Sequence, residues 1–141
     1  MSQEYLATGF PDVDSRDDAG AYRQCLSLLD SLPYFRQYKE RSYELLNLSA
    51  GLSVLDLGCG LGDDAFRMAA RVGPGGLVLG VDASTRLISE AVGRLPTGLR
   101  VRFAKADARQ LPFRDECLDR CRVDRTLQHI ASPRQAVREL V

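Results

Sequence analysis

An excess of positive charge is missing from this chain of 141 residues. Lysine and arginine together number 19, and aspartate and glutamate also number 19, so the formal net charge is zero. A chain without a basic surplus has no overall field that attracts nucleic acid or an anionic lipid surface. No apolar run approaches the roughly 20 residues that a membrane-spanning helix needs. We therefore expect neither nucleic acid nor a membrane among its partners.

The usual marks of an exported or metal-binding protein are missing as well. Residues 1–5 lack the basic and apolar regions of a secretory signal, which predicts a cytoplasmic location. No CxxC spacing occurs among the cysteines, and only one histidine is present. Cys117 and Cys121 could be offered as a metal pair, but a strand is predicted there without a histidine nearby. Buried thiols in a reducing compartment, and no metal site, are expected at the four positions Cys25, Cys59, Cys117 and Cys121.

The N-terminal third of the chain predicts two helices that form a cap, residues 1–48, over the domain that follows. Asp17 or Asp18 can cap the first helix, which runs to about Leu32, and the second runs from Tyr34 to about Leu48. Tyr38 could cover a ligand or pack in the core. The second helix is predicted to place Tyr38, Arg41, Leu45 and Leu48 on one stripe. The basic side chains expected on solvated faces are Lys39, Arg41, Arg134 and Arg138.

From Ser53 onward the sequence alternates between strand and helix patterns. The predicted strands are 53–57, 77–81, 100–104 and about 118–123; the predicted helices are 64–72, 85–94 and one that begins after Pro133. Such alternation is typical of an α/β fold with a parallel sheet and right-handed crossovers. The sequence ends within a helix after the fourth strand, so we interpret domain 49–141 as incomplete at its C-terminus. The unpaired edge of the fourth strand favours a homo-oligomer.

The stretch Val54–Asp64 joins an apolar strand to a helix through glycines at every second position, Gly58, Gly60 and Gly62. Such a turn lets the backbone adopt positive φ and come close to a ligand. A P-loop needs Gly-Lys-Ser/Thr after its glycines, and here Asp63 and Asp64 follow instead. Dinucleotide folds use GxGxxG and place a pyrophosphate at the helix N-terminus, where two carboxylates would repel it. The pattern favours a cationic ligand without phosphate.

Four segments in order resemble the class I S-adenosylmethionine-dependent methyltransferases, in the small-molecule branch that includes quinone-ring methylating enzymes. The resemblance covers about Leu45 to Val141. The segments that carry it are Val54–Asp64, Val81–Ser84, Lys105–Ala108 with Leu111–Phe113, and Leu127–Ile130. It implies a Rossmann-like parallel sheet of strand order 3-2-1-4, with later strands missing, flanked by helices, and S-adenosylmethionine as the cofactor.

The resemblance also implies roles for individual residues. Asp56 is expected to hold the methionine ammonium, directly or through water. A carboxylate at the end of an apolar run is costly to bury without a partner, which favours this functional role. Asp82 suits a bidentate hold on the ribose hydroxyls, as in dinucleotide folds. The other expected cofactor contacts are Gly58, Gly60 and Gly62 beneath the ligand, Ala83 against the adenine, and Asp107 with the Ala108 N–H at the adenine edge. Arg125 and Thr126 are expected near the transferred methyl group.

Structural alternatives exist for several of these residues. Asp63 is expected to be a helix N-cap rather than a ligand contact, and Asp64 to favour the same helix dipole. Asp82 and Asp107 could be turn formers at strand ends. His129 could be a general base, although packing after the fourth strand is the favoured interpretation. The catalytic residues stay unassigned by the sequence, with Arg125 and His129 as candidates.

The implied activity is SN2 transfer of a methyl group to a small-molecule acceptor, in which the protein contributes mainly proximity and alignment. The second hypothesis is a truncated, non-catalytic chain that serves as a cofactor-binding or interaction module. The third is an NAD-type dinucleotide-binding domain. Binding of S-adenosylhomocysteine or of NAD distinguishes the first and third hypotheses.

Overall fold

A computed structural model describes residues 10–15 and 19–141, and its centre is a four-stranded parallel sheet. The strands are β1 (Ser53–Leu57), β2 (Leu77–Asp82), β3 (Val101–Lys105) and β4 (Arg120–Val123). Their order is β3-β2-β1-β4, and Val54 pairs with Val78 on one side and with Arg120 on the other. This arrangement confirms the predicted fold class and strand order.

Five α-helices and two 3₁₀-helices surround the sheet in the described ranges. The α-helices are α1 (Ala19–Ser31), α2 (Pro33–Leu45), α3 (Asp63–Val72), α4 (Thr85–Gly93) and α5 (Pro133–Arg138), and the 3₁₀-helices are Phe10–Ser15 and Leu127–His129. No helix in these ranges is long and apolar enough to cross a membrane. The predicted caps Asp17 and Asp18 lie outside the described residues.

The main core lies between β1, β2 and the apolar face of α3. Val54 and Val78 are fully buried in the sheet, and they pack in one cluster with Ala65, Met68 and Val72. These α3 residues recur at three- and four-residue spacing, so a single helix face meets the sheet. Helix α3 therefore packs against both β1 and β2.

Helix α2 differs from its prediction in both its limits and its buried face. It begins at Pro33, because proline suits the first helical turn, and it ends at Leu45. Its buried residues are Lys39 and Tyr43, while Leu45 is 71% exposed. The predicted stripe is therefore wrong. Tyr43 occupies the core side, where its hydroxyl bonds the Asp64 carboxylate and its ring lies 4.5 Å beneath the Arg71 guanidinium.

The cysteines also depart in part from their prediction. Cys59 is buried and Cys25 and Cys121 are partly buried, but Cys117 is exposed. Cys117 lies in the loop before β4, which begins at Arg120, two residues later than predicted. All four thiols are free. In the described part of the chain, no group of three or more metal-ligating side chains could hold a metal ion.

A cluster of buried charges joins the N-terminal helices to the sheet. Lys39 on α2 is 4% exposed and lies 3.0 Å from both Asp30 on α1 and Asp64 on α3. Arg67 donates two hydrogen bonds of 2.7 Å to Asp30. We call the group formed by Asp30, Lys39, Asp56, Asp64, Arg67 and Arg122 the ion cluster. The expectation that Lys39 is solvated is wrong, because two carboxylates from neighbouring helices compensate its burial.

Arg122 extends the ion cluster into the sheet. Its guanidinium on β4 lies 3.1 Å from Asp64 and 3.6 Å from Asp56 on β1. The side chains of Arg122 and Asp56 are almost completely buried, and that of Asp64 is 14% exposed. Burial, with the neighbouring charge of Asp64, raises the pKa of Asp56 to about 7, against the lowering effect of Arg122 and Lys39. Asp64 behaves differently: burial raises its pKa, but Arg122 and Lys39 outweigh that effect, and the net shift is downward.

Replacing Lys39 with methionine should destabilise the fold. The substitution keeps the apolar stem but leaves the buried carboxylates of Asp30 and Asp64 short of one cation, which costs about 3 kcal/mol. Urea denaturation measures this loss. The control is Arg41→Ala, which removes the exposed 2.8 Å pair with Glu44 and should cost at most about 1 kcal/mol. Equal effects of the two substitutions would show that the ion cluster does not stabilise the fold.

Replacing Asp56 with asparagine should change how stability depends on pH. The folded pKa of about 7 exceeds the ordinary value of 3.8, so the native chain retains a proton that the unfolded chain has released. The wild type should therefore lose more than about 1 kcal/mol relative to Asp56→Asn as the pH rises from about 4 through 7. Urea denaturation across this range, with the exposed Asp115→Asn as control, measures the difference. A constant difference would contradict the raised pKa.

Candidate functional site

A cleft of about 1280 Å³ opens at the carboxyl ends of the strands. Its lining includes the last residues of β1 and β2, the residues that follow β3 and β4, and one face of α1. Since β2 and β4 lie on opposite sides of β1, the strand order reverses there, and ligands of open α/β sheets bind at such a switch point. The topology therefore places the cleft where a ligand site is expected.

The glycine turn, residues 58–62, forms the floor of this cleft. Gly58, Gly60 and Gly62 all have positive φ, at 77°, 52° and 85°. A Cβ on Gly58 would lie 2.0 Å from the Thr126 hydroxyl, and one on Gly62 would lie 2.7 Å from the Phe103 ring. Gly58 and Gly60 line the cleft, whereas Gly62 is not among its lining residues. Close packing within the protein therefore explains Gly62 without a ligand.

The acidic pair after the glycines does not cap the helix by its side chains. The N-cap of α3 is Gly62, which has no side-chain cap, and Asp63 is the first helical residue. The predicted N-cap role of Asp63 is wrong because the turn needs a left-handed residue at that position, which glycine adopts readily. Asp63 instead accepts hydrogen bonds of 2.7 and 3.1 Å from Arg94. Asp64 lies in the first turn, as expected, and belongs to the ion cluster.

Asp82, the last residue of β2, connects two parts of the cleft. Its carboxylate accepts one hydrogen bond of 2.9 Å from the Gly60 N–H and one of 3.0 Å from the Ser84 N–H. Burial raises its pKa against the effect of these bonds. Asp82 is thus a turn former in this structure, as the structural alternative expected. It also lines the cleft beside Ala83, where its remaining lone pairs are available to a ligand.

Asp107 lies beyond β3 and also lines the cleft, next to Ala108. Arg109 contacts this carboxylate with distances of 2.6 to 3.1 Å, and a hydrogen bond from this guanidinium lowers the Asp107 pKa to about 2. Gln110 donates its N–H to the Asp107 carbonyl at 3.0 Å. The residue therefore forms a turn while its side chain stays at the cleft edge.

Asp56 occupies a different position from the other candidates. It is 2% exposed and is not among the residues that line the cleft. It lies behind Arg122, which does line the cleft. Its Oδ2 atom is buried without a hydrogen-bond partner in the described chain. Among the predicted site residues, only Asp56 and Gly62 fall outside the lining.

The post-β4 segment, residues 124–131, forms the wall opposite β3. The Thr126 hydroxyl lies 3.3 Å from the Leu57 carbonyl and 3.0 Å from the Asp124 carbonyl, which fixes the segment against β1. Arg125, Thr126 and His129 all line the cleft. The His129 ring packs 5.3 Å from Phe10, and burial lowers its pKa. His129 thus has the packing role that the sequence favoured, and it also faces the cleft.

The N-terminal region supplies lining residues that the sequence did not reveal. These are Phe10 from the first 3₁₀-helix and Cys25, Leu26, Leu29 and Asp30 from α1. An apolar face at helical spacing was the only signal for the α1 residues, and no signal marked Phe10. Tyr38 is not a lining residue, because its hydroxyl donates a 2.5 Å hydrogen bond to Asp124 behind the wall.

Asp14 anchors this N-terminal region to the sheet domain. Its carboxylate accepts hydrogen bonds from the Ser84 hydroxyl at 2.5 Å, the Thr85 N–H at 2.7 Å and the Arg86 N–H at 3.1 Å. The Ser84 hydroxyl in turn accepts from the Leu87 N–H, so two side chains cap the start of α4. The first 3₁₀-helix is thereby held against Ser84, which is two residues after Asp82 in the chain.

Comparisons with known proteins agree with this geometry. Residues 54–141 match a family model described as a methyltransferase domain. The methyltransferase GfsG of Streptomyces halstedii is 38% identical over 72% of this chain, and a 2-phytyl-1,4-naphtoquinone methyltransferase of Nostoc is 33% identical over 78% of it. The chain spans only 37% and 49% of the lengths of these two relatives.

A solved structure gives the same result for the fold. The YcgJ protein of Bacillus subtilis superposes with a TM-score of 0.67 at 27% identity, covering 74% of this chain and 44% of that one. The sequence matches, the strand order and the glycine turn all agree with the resemblance found from the sequence. The chain belongs to the methyltransferase domain family, within the class I S-adenosylmethionine-dependent fold.

Proposed function

We propose that this chain carries the cofactor site of a methyltransferase that uses S-adenosylmethionine and transfers a methyl group to a small-molecule acceptor. The observation that carries the proposal is the convergence of Gly58, Gly60, Asp82 and Asp107 on one cleft at the switch point of the sheet. Membership of the methyltransferase domain family supports it. The Nostoc relative is a 2-phytyl-1,4-naphtoquinone methyltransferase, which supports a small-molecule acceptor for this chain.

The side chains that line the cleft fit this cofactor. Asp82 and Asp107 are carboxylates that would accept from ribose hydroxyls and from the adenine amino group. Ala83 and Ala108 have small side chains beside them and leave space for a flat ring. When bound, the cofactor supplies a methyl group activated by a sulfonium. Asp82, beside the glycine turn, places a carboxylate in the cleft that suits this positive charge.

Asp56 fits an indirect role better than direct contact with the cofactor. Its carboxylate lies 3.6 Å from the Arg122 guanidinium, and Arg122 rather than Asp56 lines the cleft. We propose that Asp56 orients Arg122 and the adjoining start of the glycine turn. Any ammonium contact would then pass through water or through a shift of Arg122.

On the acceptor side, the chain contributes alignment and exclusion of water. The post-β4 segment and α1 both line the cleft, and they contribute the apolar side chains of Leu26, Leu29 and Ile130. An apolar enclosure positions an acceptor and keeps water from competing with it. His129, whose pKa is lowered by burial, is neutral near pH 7 and could accept a proton from the acceptor.

Calorimetry with S-adenosylhomocysteine tests the cofactor assignment, with NAD as the comparison ligand. We expect S-adenosylhomocysteine to bind and NAD not to bind; the reverse result would favour the dinucleotide hypothesis. Transfer of a radiolabelled methyl group from S-adenosylmethionine to a panel of quinols and phenols tests turnover. Binding without transfer to any acceptor would favour a non-catalytic cofactor-binding module.

Replacing Asp82 with alanine should weaken S-adenosylhomocysteine binding by about tenfold or more, because hydrogen bonds to a charged acceptor contribute about 1.5–3 kcal/mol. Calorimetry measures the affinity. Asp115→Ala, an exposed aspartate outside the cleft, is the matched control and should bind as the wild type does. The melting temperature of each unliganded variant shows whether loss of the hydrogen bond from the Gly60 N–H has destabilised the fold. Unchanged affinity in Asp82→Ala would eliminate its ribose role.

We also propose that the chain self-associates through the outer edge of β4. Within the described residues, β4 pairs only with β1, so its other edge presents unpaired backbone groups. Sedimentation velocity should show a dimer that dissociates on dilution, and a monomer at all concentrations would contradict the proposal. The division into a cap and a binding domain, and the cytoplasmic location, stay predictions.

A further inference from the structure

Arg125 has an unusual backbone conformation at the critical edge of the cleft. It lies two residues after β4, directly before Thr126, which contacts the glycine turn. Its φ is 52°, in the left-handed region that a non-glycine residue adopts only at a cost of about 1–3 kcal/mol. The bonds from Thr126 to the Leu57 and Asp124 carbonyls hold the segment in this shape. Strain of this kind concentrates at binding sites.

The Arg125 side chain is held in place, but its hydrogen-bonding capacity is unused. Its guanidinium lies 5.1 Å from the centre of the Phe35 ring, a cation–π distance that restrains the plane. Its Nε atom is buried without a hydrogen-bond partner. The nearest carboxylate, Asp124, is 3.6 Å away, beyond hydrogen-bond range, and already accepts bonds from Tyr38 and Arg122. The side chain is 32% exposed and lines the cleft.

Every other Lys or Arg side chain that lines the described cleft already has a hydrogen-bond partner. Lys39 bonds Asp30 at 3.0 Å, Lys105 bonds Thr85 at 3.0 Å, and Arg109 bonds Asp107 at 2.6 Å. Arg122 bonds Asp64 at 3.1 Å. Among the Lys and Arg side chains of the described lining, Arg125 is therefore the one without a hydrogen bond to the protein.

We propose that Arg125 is a specificity-determining residue that selects acceptors bearing an anionic oxygen, a carboxylate or an ionised phenol or enol. This inference rests on the proposed function. A planar guanidinium presents parallel N–H donors that match two carboxylate oxygens, and such charge-assisted pairs are about twice as strong as neutral ones. A neutral acceptor of the same shape leaves those donors unpaired, which disfavours it.

The neighbourhood indicates what the rest of such an acceptor looks like. Ile130 and Ala131 follow in the same wall, and Leu29 of α1 lines the same cleft. An acceptor with an apolar or aromatic body would bury that body against these side chains while its anionic oxygen reaches Arg125. The Phe35 ring lies against the guanidinium, so it restrains the cation and keeps water from one of its faces.

Side-chain NMR of the ¹⁵N-labelled chain, saturated with S-adenosylhomocysteine, tests the inference with sodium benzoate and benzamide as probes. The two probes have the same shape, and only benzoate carries an anionic oxygen. We expect benzoate to shift the Nε–H resonance of Arg125 in a saturable way and to shift the Ile130 amide, with benzamide binding at least about tenfold more weakly. Arg125→Gln should abolish the preference for benzoate, and Arg125→Lys should retain part of it.

Arg114→Gln, an exposed arginine outside the cleft, is the matched control and should respond as the wild type does. Equal responses to benzoate and benzamide, no saturable response to benzoate, or an unchanged preference in Arg125→Gln would overturn the inference. Loss of S-adenosylhomocysteine binding in Arg125→Gln would also overturn it, because Arg125 would then belong to the cofactor site. A wild-type chain that fails to bind S-adenosylhomocysteine at all would instead refute the proposed function.

Discussion

The carboxylate of Asp64 is the contact on which the arrangement of helices and sheet depends. It accepts from Tyr43 and pairs with Lys39 and Arg122, so α2, α3 and β4 meet at one acidic side chain. Buried ions are favourable only when every partner is present, and removing any of them leaves an uncompensated charge. The ion cluster therefore makes the position of the N-terminal helices conditional on the correct pairing of β4 with β1.

Much of the sheet domain could be predicted because local and tertiary signals agree there. Apolar runs such as Val54–Leu57 are short and end in glycines with positive φ, so the strand, turn and α3 could each be assigned. Asp82 and Asp107 reach the same cleft because parallel strands end at one edge of a sheet. The prediction that Asp63 is the N-cap of α3 is wrong because Gly62 occupies that position. The left-handed backbone of the turn determines the residue there, and the capping preference of aspartate does not.

The parts that sequence patterns missed are those whose partners are distant in the chain. Lys39 looked like a surface lysine, since nothing nearby in sequence shows that Asp30 and Asp64 would surround it. Asp56 has the expected burial but lies behind Arg122, because β4 places that arginine opposite it in register. The post-β4 segment contains Arg125, whose strained backbone and unpaired Nε are visible only in three dimensions.

The contact between Gly58 and Thr126 limits how sequences with this fold can diverge. The space beside the glycine α-carbon is already filled by the threonine hydroxyl, 2.0 Å from where a methyl group would begin. Thr126 also bonds the Leu57 carbonyl, so it cannot withdraw without loosening β1 from the segment after β4. A relative with a larger residue at the position of Gly58 must have a smaller residue at the position of Thr126, or a backbone that is displaced there. The two positions are thus expected to vary together, as a linked pair within an otherwise permissive loop.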